Sequence, residues 1–395
     1  MIKSIRLKNF FSFSSQIIEL EDLNMLIGIN GAGKSNFIKA IQVLKATVTE
    51  SEIPNLLINK WGGFDSVCFL GAQDANGIEL EYEFDPEIIG IYGYHFQESV
   101  FYRIRFHKIA SSQNYYVCES FHTKVNGKCN YRYMQIDNGK GFVREGISKA
   151  QQTVQYEFDN ASDSVLNQLV DKDRYYQIYT LREAIKDISI YSYFDTTASS
   201  PIRKPVQPSS SNRLFADGSN LPQVLNSIKI NDKNNYHKIS ESLNAINPYF
   251  NGFDFNFLGS NIELLLDETK LNKAIHVTHI SDGTLHYLCL LSIIYNSKRG
   301  KLVCIDEPEI GLHPDMISEI ITAIQETTNE TQYIISTHSD HILDKIAVKN
   351  ILVFEKDDTN SSCIKDFKET DFINWAAQYA TGKLWRDGDL GGNRY

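Results

Sequence analysis

The spacing of apolar positions changes character several times along the chain. MIKSIRLKNF at the N-terminus alternates apolar and polar side chains as a half-buried strand does. LNMLIG (23–28) is a continuous apolar run suited to a buried parallel strand. After a glycine turn, Phe37, Ile38, Ile41 and Leu44 recur at helical spacing. From about residue 64 to 135 alternation returns in ELEYEF (79–84), FYRIRFHKI (101–109) and NYYVCESF (114–121). DANG and NGK punctuate these runs, so the pattern predicts an antiparallel meander. Residues 161–195 read as helical, with LREAIKDI the clearest piece, and the Ser- and Pro-rich stretch 196–212 reads as a flexible linker.

Beyond that stretch helices and strands alternate. Ile239, Leu243 and Ile246 share one helical face, and Ile317, Ile320, Ile321 and Ile324 share another. KLVCI (301–305) and QYIIS (332–336) are strand-like, and 352–367 reads as a closing hairpin. There is no repeat and no sustained heptad, so a long coiled coil is excluded. The order predicts an α/β fold whose mixed sheet is flanked by helices.

Composition narrows the class without naming a chemistry. Of 395 residues, 42% are hydrophobic and 22% charged, which excludes a disordered or low-complexity chain. The net charge of −10 excludes a uniformly basic nucleic-acid coat but not a local basic patch. No apolar run approaches the ~20 residues of a membrane span, so no membrane association is expected. The six cysteines show no metal-binding spacing and read as reduced thiols of a cytoplasmic protein.

The chemistry sits in two motifs. GINGAGKS (28–35), between a predicted strand and a predicted helix, matches a phosphate-binding loop. Such a loop presents the backbone of Asn30, Gly31, Ala32 and Gly33 to a nucleotide phosphate, with Asn36 just inside the helix. Lys34 would reach the β- and γ-phosphates of ATP, and Ser35 would place its hydroxyl on Mg²⁺. LVCIDEP (302–308) is a buried strand delivering acids at its C-terminal end. Asp306 would hold Mg²⁺ through water, and Glu307 would deprotonate the attacking water.

Two further pieces, HISDGTLHYL (279–288) and ISTHSDHIL (335–343), complete an order. The succession of phosphate loop, SDGT, DEP and TH resembles the ABC-type ATPase heads, in particular the RecF/SMC/OLD-like branch. IRLKNFFSFSSQIIEL at the start is similar to these heads as well. RLFADGSNLPQVL and the tail LWRDGDLGGNRY are similar to small ATPases of that branch, several of which accompany anti-phage effectors.

The resemblance implies an ABC-type P-loop fold with an antiparallel β plus helical insertion between the phosphate loop and the signature. Residues 1–60 and 213–395 would form the head, 61–195 the insertion and 196–212 a linker. It also implies a head-to-tail homodimer, each ATP lying between one phosphate loop and Ser281, Asp282 and Gly283 of the other copy. His338 would contact the γ-phosphate, and Glu309–Leu312 would form a loop crossing to the other subunit. SDGT departs from the usual SGGQ, and Gln73 is the candidate for the glutamine that bridges Mg²⁺.

The stretch after His338 is too short for a Toprim nuclease, so EKDD (355–358) reads as a hairpin turn and no nuclease is expected. Arg103 and Arg105 alternate opposite Glu79, Glu81 and Glu83 and read as cross-strand pairs. The basic IRKP (202–205), with Arg213, is the candidate contact for nucleic acid or an effector. The expected function is an Mg²⁺-dependent ATPase switch controlling a separately encoded effector, with a nuclease as the candidate, in anti-phage defence. A RecF-like ATP-dependent DNA clamp is the alternative, and a transporter subunit is the weakest reading.

Overall fold

The N-terminal alternation folds as an antiparallel pair, β1 (Ile2–Phe10) and β2 (Phe13–Glu19), with Ile2, Ile5 and Leu7 buried and Lys3, Arg6 and Lys8 exposed. The computed structural model describes residues 1–71, 77–109, 113–146, 152–365 and 385. They pack as two units, Met1–Ile188 joined by the chain from Leu352, and Ser189–Ile351.

In the first unit, β3 (Leu23–Ile27) is buried at every position and leads through the glycine loop into the helix Lys34–Ala46. Phe37, Ile38, Ala40, Ile41, Val43 and Leu44 form that helix's buried face, as its periodicity predicts. The meander consists of β4 (Gly77–Phe84), β5 (Val100–Lys108), β6 (Tyr115–Val125), β7 (Lys128–Asp137), β8 (Lys140–Glu145) and β9 (Gln152–Glu157).

It is not a sheet of its own. β4 pairs with β1, giving the order β2-β1-β4-β5-β6-β7-β8-β9. Tyr82, Tyr102, Ile104 and Phe106 are buried, and the Tyr82 hydroxyl donates to the Ala40 carbonyl (2.6 Å), tying the sheet to the loop's helix. Each such buried aromatic contributes on the order of 1.5–3 kcal/mol.

The expected cross-strand charges are in register. Glu79 faces Arg105 and Glu81 faces Arg103, and Arg105 forms an ion pair with Glu79. Glu81 instead takes its ion pair from Lys124 of β6, at 2.5 Å. Residues 161–195 are helical only at Tyr176–Lys186, apart from a short 3₁₀ turn at Val165–Asn167. The Asp171 carboxylate accepts from the N–H groups of Asp173 and Arg174 (2.9 and 3.1 Å), closing a turn that competes with helix.

In the second unit, β10 (Ile188–Tyr191) precedes an antiparallel trio, β11 (Phe250–Leu258), β12 (Asn261–Glu268) and β13 (Ile275–His276). β14 (Leu302–Asp306) and β15 (Gln332–Ser336) run parallel, with the strands ordered β10-β14-β15. The helix Asp282–Ile294 is buried from Thr284 onward, which explains apolar positions all around it. In the helix Pro314–Thr327, Ile317, Ile320, Ile321 and Ile324 face the core. Ile239 and Leu243 are buried as expected, while Ile246 is half-buried.

The stretch 196–212, expected as a flexible linker, is held by side chains. Ile202 and Arg203 are buried, and Val206 bridges to Ile262. The Gln223 amide donates to the Ser209 and Ser211 carbonyls and accepts from the Ser209 N–H.

The chain then returns to the first unit as β16 (Ile351–Lys356) and β17 (Ser362–Lys365), ordered β3-β16-β17. EKDD opens the turn between them. Asp357 accepts from the N–H groups of Thr359 and Ser361, so its carboxylate serves the turn. Among the described residues no helix is long and apolar enough to cross a membrane.

Candidate nucleotide site

The phosphate loop is shaped by glycines with left-handed backbones. Gly28, Gly31 and Gly33 have φ of 140°, 82° and 119°. At Gly28 a Cβ would fall 2.3 Å from the Phe354 carbonyl oxygen. At Gly33 it would fall 2.4 Å from Ser362 Oγ and 2.9 Å from Ser12 Oγ. A chain that must pass this close can carry no side chain there, which leaves backbone N–H groups to line the loop.

Ser362 of β17 donates to the Ala32 carbonyl (2.5 Å), its oxygen lies 2.7 Å from Ser12 Oγ, and Asn36 Nδ2 donates to Ser12 (3.0 Å). Sequence reasoning missed Ser12 and Ser362, since serines far apart in the chain carry no motif. Lys34 is buried, its ammonium donating to the carbonyls of Gly28 (2.7 Å) and Ile29 (3.4 Å). Asn30, Gly31 and Ser35 are exposed. A glycine-shaped cradle, a lysine folded onto it and an exposed serine hydroxyl fit a nucleotide phosphate with a divalent metal ion.

Gly33→Ala should therefore cost ~1–3 kcal/mol of stability and weaken nucleotide binding in the same variant. Thermal denaturation with and without ATP reads both, and an unshifted, ATP-responsive melt would contradict this role for Gly33.

The acidic turn belongs to the second unit. Asp306 pairs with Ser336 in the parallel register, and the Ser336 hydroxyl donates to its carboxylate. Glu307 turns off the strand with φ 51°, and its N–H donates to the Ser336 carbonyl (3.1 Å) and approaches Ser336 Oγ (3.1 Å). The strained turn leaves Glu307 Oε1 3.3 Å from His338 Nε2, both side chains about one-third exposed. The structure thus brings the two candidate catalytic residues together.

Glu309 lies in the stretch expected to cross between subunits, and within the chain its Oε1 accepts from Thr337 Oγ1 (2.8 Å) and the His338 N–H (2.7 Å). Its Oε2 is buried without a partner among the described residues. Burial pushes the Glu309 carboxyl above its ordinary range, and the neighbouring Glu307 charge adds to this.

At the signature turn, Ser281 caps the helix Asp282–Ile294, its Oγ accepting from the Thr284 N–H (3.1 Å). Ser281 and Asp282 are exposed, and a Cβ on Gly283 would lie 3.0 Å from the Gly311 carbonyl. Arg203, a candidate contact for nucleic acid or an effector in a stretch expected as a solvated linker, is instead 7% exposed and bonded to this turn, while Arg213 Nε donates to the Lys298 carbonyl (2.6 Å). Gln73 lies outside the described residues, as does the tail motif apart from Trp385.

A family described as AAA ATPase domain matches residues 1–343, most of the chain. The chain belongs to the AAA ATPase domain family. This ATPase is also similar to an Smc head solved bound to the C-winged helix domain of ScpA. That match has TM-score 0.57 and 14% identity and covers 92% of this chain and 97% of that one. It is similar as well to an Smc head with an extended coiled coil, bound to the C-terminal domain of ScpA derived from Pyrococcus furiosus. There the TM-score is 0.56 and the identity 13%, over 96% of this chain and 99% of that one. At these identities the likeness establishes the fold. The AAA-domain chain has the mixed α/β fold of Smc heads.

Proposed function

We propose that the chain is an Mg²⁺-dependent ATP-hydrolysing switch that works as a head-to-tail pair of copies. In this reading the head is assembled from both ends of the sequence. The observation that carries it is the Glu307–His338 pair at 3.3 Å, held at the end of β14 by a strained turn. A part-exposed carboxylate beside an imidazole can take a proton from water and hold it.

Residues Asn30 to Asn36 would bind the triphosphate, with Lys34 swinging from its carbonyl partners to the β- and γ-phosphates. Ser35 and Asp306 would hold Mg²⁺, with Gln73 as the further candidate. The ion would neutralise charge on the phosphate oxygens. Glu307 takes a proton from the attacking water, and His338 orients that carboxylate and reaches the γ-phosphate. Ser281, Asp282 and Gly283 form an exposed helix N-terminus, the kind of surface that receives an anion. Supplied by a second copy, it makes two equivalent sites under two-fold symmetry.

Loss of the γ-phosphate would then loosen the pair, and a separately encoded effector would read that change. The Smc heads bound to ScpA support a protein partner for such a head. A cytoplasmic role in anti-phage defence rests on the sequence resemblance.

Hydrolysis per mole of protein should rise with protein concentration until the pair saturates. A specific activity independent of concentration, measured well below micromolar, would refute the paired site.

A further inference from the structure

We propose that Arg203 is the positioning residue of the signature turn, and that it cancels the charge of Asp282 so that the turn can receive an anion. This deepens the proposed paired ATP site and rests on it. Both residues belong to the second unit, and the Arg203 side chain is 6% exposed.

Its donors are spread around the turn. Nη1 donates to the carbonyls of Val277 (2.7 Å) and Ile280 (2.8 Å), and Nη2 donates to Asp282 Oδ1 (2.5 Å). Nε donates to the Thr196 carbonyl at 2.9 Å. The bonds to Ile280 and Asp282 bracket Ser281, the capping residue, on both sides. Only a planar fork with donors in several directions can do this; a lysine ammonium is a single point charge on a flexible stem.

The charge argument is separate. The N-terminus of a helix carries roughly +0.5 of an elementary charge, which is what lets it hold a phosphate. Asp282 is the first residue of its helix, with its side chain 65% exposed. An unpaired carboxylate there would outweigh the partial positive charge and repel a triphosphate. The guanidinium returns the balance to positive. Burying a cation is costly unless it is fully bonded, and three carbonyls plus one carboxylate meet that condition. A buried cation whose sole ionic partner among the described residues is this exposed carboxylate fits the correction of charge at a binding surface.

The test compares wild type with Arg203→Gln, Arg203→Lys, the double variant Arg203→Gln/Asp282→Asn and, as a control, the exposed Lys273→Gln. For each, kcat and KM for ATP are measured across protein concentrations, and ATP binding is read by thermal shift. Arg203→Gln should lose ~10-fold or more in kcat, with the ATP-induced thermal shift retained, because the phosphate loop is untouched. Adding Asp282→Asn should recover at least ~3-fold of that loss, because the unpaired carboxylate is gone. Lys273→Gln should match wild type.

A wild-type kcat in Arg203→Gln would overturn the proposal, as would a double variant no faster than the single one. Should Arg203→Gln fail to fold, Arg203→Lys decides. It keeps the charge and loses the fork, so its kcat should fall at unchanged KM, and a wild-type kcat would overturn the positioning role. The two readings fail separately: a wild-type activity indifferent to protein concentration refutes the paired site. An unaffected Arg203→Gln with that dependence intact refutes this inference alone.

Discussion

Replacing Lys34 by alanine should abolish ATP binding while leaving the chain folded. The ammonium bonds to the carbonyls of Gly28 and Ile29 inside the first unit, so its removal costs some stability. A hydrogen bond from a charged group contributes about 1.5–3 kcal/mol, a loss that a chain with this large a core should survive.

Binding is affected far more. In the proposed site the lysine would be the full positive charge that the loop itself supplies to the phosphates, which backbone N–H groups cannot replace. Thermal denaturation separates the two effects. In wild type, ATP at a hundred times its Kd should stabilise by about 2.7 kcal/mol and raise the melting temperature. In Lys34→Ala the melt without ATP should fall slightly, and ATP should no longer move it. A variant that still shifts with ATP would remove Lys34, and with it the phosphate loop, from the proposed site.

Local signals made much of this legible in the sequence, and tertiary ones did not. The loop Gly28–Ser35 was readable because positive-φ glycines followed by Lys and Ser at fixed spacing leave a composition that few other structures require. β14 and its acids were readable because a strand buried on both faces is a continuous apolar run.

The pairing of β4 with β1 was not readable, because alternation fixes a strand's faces but not its neighbour. The meander therefore reads as an insertion, and in the structure it extends the N-terminal sheet. The stretch 196–212 misled for a related reason. Its Ser and Pro content signals a loop, but nothing local shows that Arg203 and the partners of Gln223 are held by groups distant in sequence. Glu309 was hidden for the same reason, since its role depends on meeting Thr337 and the His338 N–H across two strand ends.

Glu307→Gln should retain ATP and lose hydrolysis. Glutamine has the shape of glutamate and keeps a hydrogen-bonding oxygen, so the turn at φ 51° and the contact with His338 can both persist. It cannot take a proton from water. A positioned general base contributes typically ~10²–10⁴-fold, so kcat should fall by at least ~100-fold at an unchanged ATP-induced thermal shift.

If hydrolysis releases the two copies, the same variant should accumulate a species of twice the mass in ATP, measured by light scattering. That species should be missing in ADP. His338→Ala offers the contrast. It leaves the base in place but removes its partner, so hydrolysis should fall less steeply than in Glu307→Gln. A rate in Glu307→Gln within about threefold of wild type would exclude Glu307 as the base on this magnitude. His338, the other proton acceptor in the pair, would then become the residue to test.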